Sequence, residues 1–282
     1  MTINHTTPYS TQMLTSSDGA TVSYLTIGNG PAVIVIHGAL SRASSYLEFA
    51  RALAEHFTVH LIERRGRGQS SPQGDDYSIV KECEDVQALQ AHTGASLLVG
   101  HSFGGLVALE TARNNRSFSK VAVYEPGVSI NGAISLDWAP AYSKMLAEKK
   151  YLDAFVEFSK GTGPDSTRNV PRELMKQMIP SMLSPEELEM MFSLLSENLR
   201  EHQEVARLDN SYENYREIPA EVLLMYGGKT NSAWVDLSME RLAAVLPHST
   251  TRMFPELDHF GIDKRAPQEV AQAVSSFFLN ER

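Results

Sequence analysis

The chain has 282 residues, 42% of them hydrophobic, and its 25 Lys and Arg against 34 Asp and Glu give a formal charge of −9 at pH 7. Such a length and apolar content can bury a substantial core, and the acidic balance argues against nucleic acid or an anionic membrane as partner, since both recruit clustered cations. A single cysteine, Cys83, leaves no internal disulfide, no apolar run approaches the roughly 20 residues that span a bilayer, and no CxxC, HExxH or His/carboxylate cluster marks a metal.

The polar start MTINHTTPYSTQ has neither the basic nor the apolar region of a secretion signal, which makes the cytoplasm the expected compartment. Two short strands are expected at 12–15 and 21–26, joined by Ser16-Ser17-Asp18-Gly19, whose Asp-Gly pair suits a tight hairpin turn. After the Gly28-Asn29-Gly30-Pro31 breaker, Ala32-Val33-Ile34-Val35-Ile36 is a continuous β-branched run of the kind buried on both faces. A helical stretch at 44–56 leads to a strand at 57–62. Helix 78–92, strand 96–100, helix 104–114 and strand 120–124 follow. This alternation predicts βαβ units around a mainly parallel sheet with right-handed crossovers.

From 128 to 215 the strand signal disappears and the chain reads as helical, with Ser184-Pro185-Glu186-Glu187 supplying an N-cap, a proline at the first helical position and a Glu at the third. Leu188, Met191, Phe192 and Leu195 recur at helical spacing. Strands return at 221–226 and 250–254, with helices at 234–245 and 267–279. The expected organisation is therefore one core domain, 1–127 and 216–282, interrupted by a helical insertion, 128–215.

Within that frame, Gly100-His101-Ser102-Phe103-Gly104 fits G-x-S-x-G where a strand gives way to a helix. Glycines on both sides let strand and helix meet at a sharp turn, which projects a serine hydroxyl above the sheet edge. The alternative is a glycine-rich turn whose serine only caps a helix. A nucleophilic serine needs a base and an oxyanion needs donors. His259, in Glu256-Leu257-Asp258-His259 between the last strand and the last helix, can supply the first. The amides of Ala39, after His37-Gly38, and of Phe103 can supply the second.

Taken together, His37-Gly38, Glu63-Arg64-Arg65-Gly66-Arg67-Gly68-Gln69-Ser70, the Ser102 elbow, Tyr124-Glu125-Pro126 and His259 resemble the α/β-hydrolases, in the cap-bearing serine esterase branch, over nearly the whole chain. The resemblance implies an α/β-hydrolase fold: a mainly parallel eight-stranded sheet with helices on both faces and 128–215 as a helical cap. It also implies a Ser-His-acid triad with Ser102 as nucleophile and His259 as base, and no cofactor. The acid departs from the commonest pattern, because the G-x-x-D loop after the seventh strand is here Gly227-Gly228-Lys229-Thr230. Neither Thr230 nor Asn231 can carry a charge opposite an imidazolium. Glu125, in the loop after the sixth strand, is the favoured replacement, since some branches of the family place the acid there. Asp236 on the following helix and Asp258 beside His259 remain as alternatives.

The arginines of 63–68 are expected to form a local ion-pair network, with Arg65 pairing nearby. His37 and Gly38, with Trp138 and Met145 in the insertion, are expected to contact substrate, in an apolar cavity made adaptable by the insertion's methionines. The expected activity is hydrolysis of a small to medium, largely apolar ester, thioester or lactone by a monomer or homodimer. A ligand-binding receptor on the same fold is the alternative, motivated by the missing G-x-x-D acid.

Overall fold

A computed structural model describes residues 8–163 and 165–280; residues 1–7, part of the polar stretch without the features of a secretion signal, lie outside them, as do Pro164 and residues 281–282. Eight strands form one sheet: β1 (Ser10–Thr15), β2 (Thr21–Ile27), β3 (Ala32–Ile36), β4 (Thr58–Glu63), β5 (Leu97–His101), β6 (Lys120–Tyr124), β7 (Glu221–Gly227) and β8 (Ser249–Phe254). Their spatial order is β1-β2-β4-β3-β5-β6-β7-β8. The β1–β2 and β2–β4 pairs are antiparallel, and every pair from β4–β3 to β7–β8 is parallel.

Parallel strands need crossovers on both faces, and the side-chain period of two feeds two cores. Ile34 and Ile36 of β3 join one core with Leu98 of β5, Leu106 of α3 (Phe103–Asn114) and Val86 of α2 (Ile79–Thr93), while Val33 and Val35 join the other with Phe49 of α1 (Leu47–Leu53). β5 and β6 have no exposed residue, which accounts for the apolar runs Leu97-Leu98-Val99 and Val121-Ala122-Val123.

Between β6 and β7 the chain forms α4 (Ala139–Ala147), α5 (Tyr151–Thr162), α6 (Asp165–Arg168), α7 (Arg172–Met182), α8 (Pro185–Ser193) and α9 (Leu195–Arg207). α10 (Ala233–Val245) and α11 (Pro267–Leu279) follow β7 and β8. The Ser184 capping box forms as its residues dictate: Glu187 N–H donates to the Ser184 hydroxyl, and the Glu187 carboxylate accepts from Ser184 N–H. The apolar series Leu188, Met191, Phe192, Leu195 is not one helix, because the chain leaves helical geometry at Leu194 (φ −107°, ψ 6°) before α9 begins. The helical segment is tied to the sheet by Glu201 of α9, fully buried between Arg64 (2.8 Å) and Arg67 (2.6 Å).

Strand order reverses between β3 and β5: β4 lies on one side of β3, and β6 to β8 lie beyond β5. Open α/β sheets carry a crevice outside the strand carboxyl ends at such a switch point. The loops leaving β3 and β5 carry His37-Gly38-Ala39 and Ser102.

Candidate active site

Ser102 stands between the last residue of β5 and the first of α3 with φ 52° and ψ −122°, a strained backbone for a residue with a side chain. Glycine makes the turn possible: a Cβ on Gly100 would run into the backbone of Gly104 and Gly105, and one on Gly104 into the carbonyls of Ile36 and His37. The β3 loop comes equally close, since a Cβ on Gly38 would stand 3.2 Å from that of Ser102. Among the described residues, the amides of Ala39 and Phe103 donate to no protein acceptor.

Glu125 follows β6 with φ 42° and is fully buried. The proline after it disfavours a helical backbone, and the residue takes a left-handed one. Its Oε1 accepts from the Gly227 amide (2.8 Å) and the Thr230 hydroxyl (2.5 Å), and its Oε2 lies 2.6 Å from Nδ1 of His259. A carboxylate oxygen only accepts, so His259 carries its proton on Nδ1 and leaves Nε2 with a lone pair. The imidazole side chain is 26% exposed. Burial works against the imidazolium, but the hydrogen bond and charge of Glu125, helped by Asp263 and Asp258, outweigh it and lift His259 above the 6.5 usual for histidine.

The loop that carries His259 is held through consecutive carbonyls. The Tyr124 hydroxyl donates to Asp258 O (2.8 Å), and Nε2 of His101 lies 2.9 Å from His259 O. On the other flank, Arg64 donates through Nη1 to the carbonyls of His37 (3.5 Å) and Gly38 (3.2 Å), and its guanidinium lies 4.5 Å from the Phe103 ring centroid. Glu82 and Glu201 both neutralise Arg64.

These features match a family model: residues 33–273 fit the alpha/beta hydrolase family. The chain belongs to that family. An alpha/beta hydrolase of Sphaerobacter thermophilus DSM 20745 superimposes with a TM-score of 0.80 at 27% identity, covering 95% of this chain and 100% of that one. A hydrolase of Pseudomonas aeruginosa PA01 shares the fold, with a TM-score of 0.71 at 20% identity over 95% of this chain and 98% of that one. In sequence, a pimeloyl-(acyl-carrier protein) methyl ester esterase of Xanthomonas campestris pv. campestris is 28% identical over 163 residues, 57% of this chain and 59% of that protein. The match therefore spans less than two thirds of that relative.

As an alpha/beta hydrolase, the chain can be checked residue by residue against the expected site. Asp236 is exposed on α10 beside a groove of about 320 Å³ shared with Tyr226 and Thr251, and it does not meet His259. Asp258 turns to Arg265 (3.2 Å) and to the Phe260 amide. His37 is fully buried with both ring nitrogens bonded within the protein, to Gly38 O and Arg64 N. Trp138 is packed inward as well. It is 3% exposed, donates to Ser135 O, and packs on Tyr142 and Phe158 in a core internal to the helical segment, with Met145 against that core. Met178 and Met182 lie on the outer face of α7, at 43% and 72% exposure. Of the four expected substrate contacts, Gly38 borders Ser102.

Four residues escaped the sequence reading. Thr230 carries no charge, yet it supports the carboxylate that has one. Glu201 makes the arginine network of 63–68 reach α9 instead of staying local, while Arg65 does pair nearby with Asp18 and Asp85. Tyr46 touches the elbow histidine through a hydrogen bond that no motif announces. Asp263 is a carboxyl four residues past His259, pushed up to about 6 by burial, with one buried oxygen that has no partner. Among the described residues no group of His, Cys, Asp and Glu is arranged to hold a metal, and no helix is long and apolar enough to cross a membrane.

Proposed function

We propose that the protein is a cofactor-free serine hydrolase acting on a small to medium, largely apolar carboxylic ester, thioester or lactone. The observation that carries this reading is the 2.6 Å contact from His259 Nδ1 to the buried carboxylate of Glu125, the residue after Tyr124, whose carbonyl accepts at 3.0 Å from the amide of Ser102 on its strained strand-to-helix turn. That contact fixes the tautomer a general base requires.

In the proposed reaction the Ser102 hydroxyl oxygen attacks the carbonyl carbon while Nε2 of His259 takes its proton. Negative charge on the carbonyl oxygen is met by the amides of Ala39 and Phe103, which are open donors in the described structure. Collapse of the adduct breaks the bond to the leaving alcohol or thiol, which receives the proton from His259. Water then repeats the sequence on the acyl-Ser102 ester, giving the acid and restoring the hydroxyl. The Glu125 carboxylate balances the imidazolium at each step.

Residues 128–215 act as the cap in this reading, and the apolar side chains that meet Leu40 in their core, Leu146 and Phe192 among them, favour an apolar acyl or alcohol group. The methyl ester named for the Xanthomonas relative belongs to the same bond class. The test is labelling with a fluorophosphonate, followed by turnover of p-nitrophenyl esters of increasing acyl length. The expected result is modification and turnover in the wild type, both lost in Ser102→Ala, with an optimum chain length. A wild type that is neither labelled nor active would overturn the reading in favour of a ligand-binding protein on the same fold.

A further inference from the structure

His101 lies next to Ser102, is 4% exposed, and is bonded on both sides of its ring. Its Nδ1 is 2.5 Å from the Tyr46 hydroxyl, and its Nε2 is 2.9 Å from the carbonyl oxygen of His259. The Tyr46 hydroxyl in turn accepts from the Gly38 amide at 3.1 Å. Burial, with the nearby charge of His259, holds the His101 imidazolium well below the usual histidine range, and burial pushes the Tyr46 phenol well above its own, so both groups are neutral in ordinary buffers. The direction of every bond then follows. A carbonyl oxygen can only accept, so the single ring proton of His101 is on Nε2, and Nδ1 must accept the Tyr46 proton. The tyrosine lone pairs are left for Gly38 N–H. The chain runs Gly38 N–H to Tyr46 O–H to His101 Nδ1, and from His101 Nε2–H to the carbonyl of His259.

Three separate loops are joined by this chain: the β3 loop that presents Ala39, the elbow that presents Ser102, and the loop that presents His259. Each bond has one possible direction and no solvent to exchange with, so the connection holds its length instead of adapting. We infer that Tyr46 and His101 are positioning residues that fix the distance between the donors for the oxyanion and the base of the reaction. This inference rests on the serine-hydrolase reading above. Neither residue touches substrate in it. A loosened chain leaves substrate binding in place and lets the base and the donors drift apart as the adduct forms, which lowers the rate of the chemical step.

The experiment compares wild type, Tyr46→Phe, His101→Leu and the double variant, all as the full chain, with thermal melting to establish folding and with a short p-nitrophenyl ester for kcat and KM. Each single variant should lose about tenfold or more in kcat, the scale of one buried hydrogen bond, with KM within about twofold of wild type. The double variant should lose little beyond the worse single one, because cutting one chain twice adds nothing. Should His101→Leu not fold, His101→Asn is read instead: its Oδ1 still accepts from Tyr46, its side chain is too short for the His259 carbonyl, and the same loss in kcat is expected. Single variants within twofold of wild type in kcat, or losses that simply multiply in the double variant, would overturn the inference. Turnover that survives Ser102→Ala would overturn the reading of the reaction itself, and this inference with it.

Discussion

Replacing Glu125 by Gln tests the assignment of the acid most directly, because the two side chains have the same shape and differ in charge and in one donor. In the wild type, Oε1 accepts from Gly227 N–H and Thr230 O–H, and Oε2 accepts from His259 Nδ1–H. Gln cannot present its amide nitrogen to two donors, so that nitrogen must face His259, whose Nδ1 then has to accept. The His259 proton moves to Nε2, where it blocks uptake of the Ser102 proton. Charge adds to the tautomer effect. A carboxylate and an imidazolium with charge centres about 4 Å apart attract by about 4 kcal/mol at an effective dielectric constant of 20, and at about 1.4 kcal/mol per decade that alone is worth roughly 10³ in rate. The expected loss in kcat is therefore about 10³- to 10⁴-fold, measured on a short p-nitrophenyl ester, with melting near that of wild type. The pH profile should move as well: the base works only when neutral, the Glu125 charge raises its pKa, and the acid limb of kcat/KM should shift to lower pH in Glu125→Gln. A variant within tenfold of wild type in kcat would refute the assignment.

Thr230→Val deletes the hydroxyl that donates to Glu125 Oε1; a loss of about 1 to 2 kcal/mol of support predicts roughly a tenfold fall in kcat, read by the same assay. Asp263→Asn removes a negative charge that favours the His259 imidazolium, so the acid limb of kcat/KM should move to lower pH while the plateau stays within a few-fold; an unmoved limb would contradict the proposed coupling. Glu201→Leu leaves Arg64 and Arg67 short of a buried countercharge, and a destabilisation of about 3 to 5 kcal/mol is expected in denaturant titration. Asp236→Asn, on an exposed face of α10, should leave turnover and melting unchanged.

The frame of this fold is legible in local pattern. β3 and β6 coincide with the strands expected at 32–36 and 120–124, and the ends of the other strands move by one or two residues because the neighbour's register decides where a ladder stops. Strand order is another matter. Nothing local in β4 says that it returns to lie between β2 and β3, since that depends on pairing across long separations. The insertion is the least legible part of the chain. An apolar period of 3.6 across 188–195 does not reveal the break at Leu194, and a methionine count does not say which methionines face out, as Met182 does. The same limit hides Glu201 from Arg64: two charges distant in the chain carry no mark that they will share one buried site.

In the proposed reading, Glu125 and Thr230 together fill the part that one acid in the G-x-x-D loop would play. The loop after β7 reaches the imidazole through the β6 strand end, because Gly227 N–H and Thr230 O–H both close on the carboxylate of Glu125. A carboxylate at position 230 would stand against that of Glu125, and two buried like charges cannot both ionise. A small donor there does the opposite, stabilising the one charge present and fixing its second oxygen toward His259. The absence of an acid in the G-x-x-D loop therefore does not argue for a disarmed site. With Glu125 supplying the charge, a hydroxyl is the group that position requires.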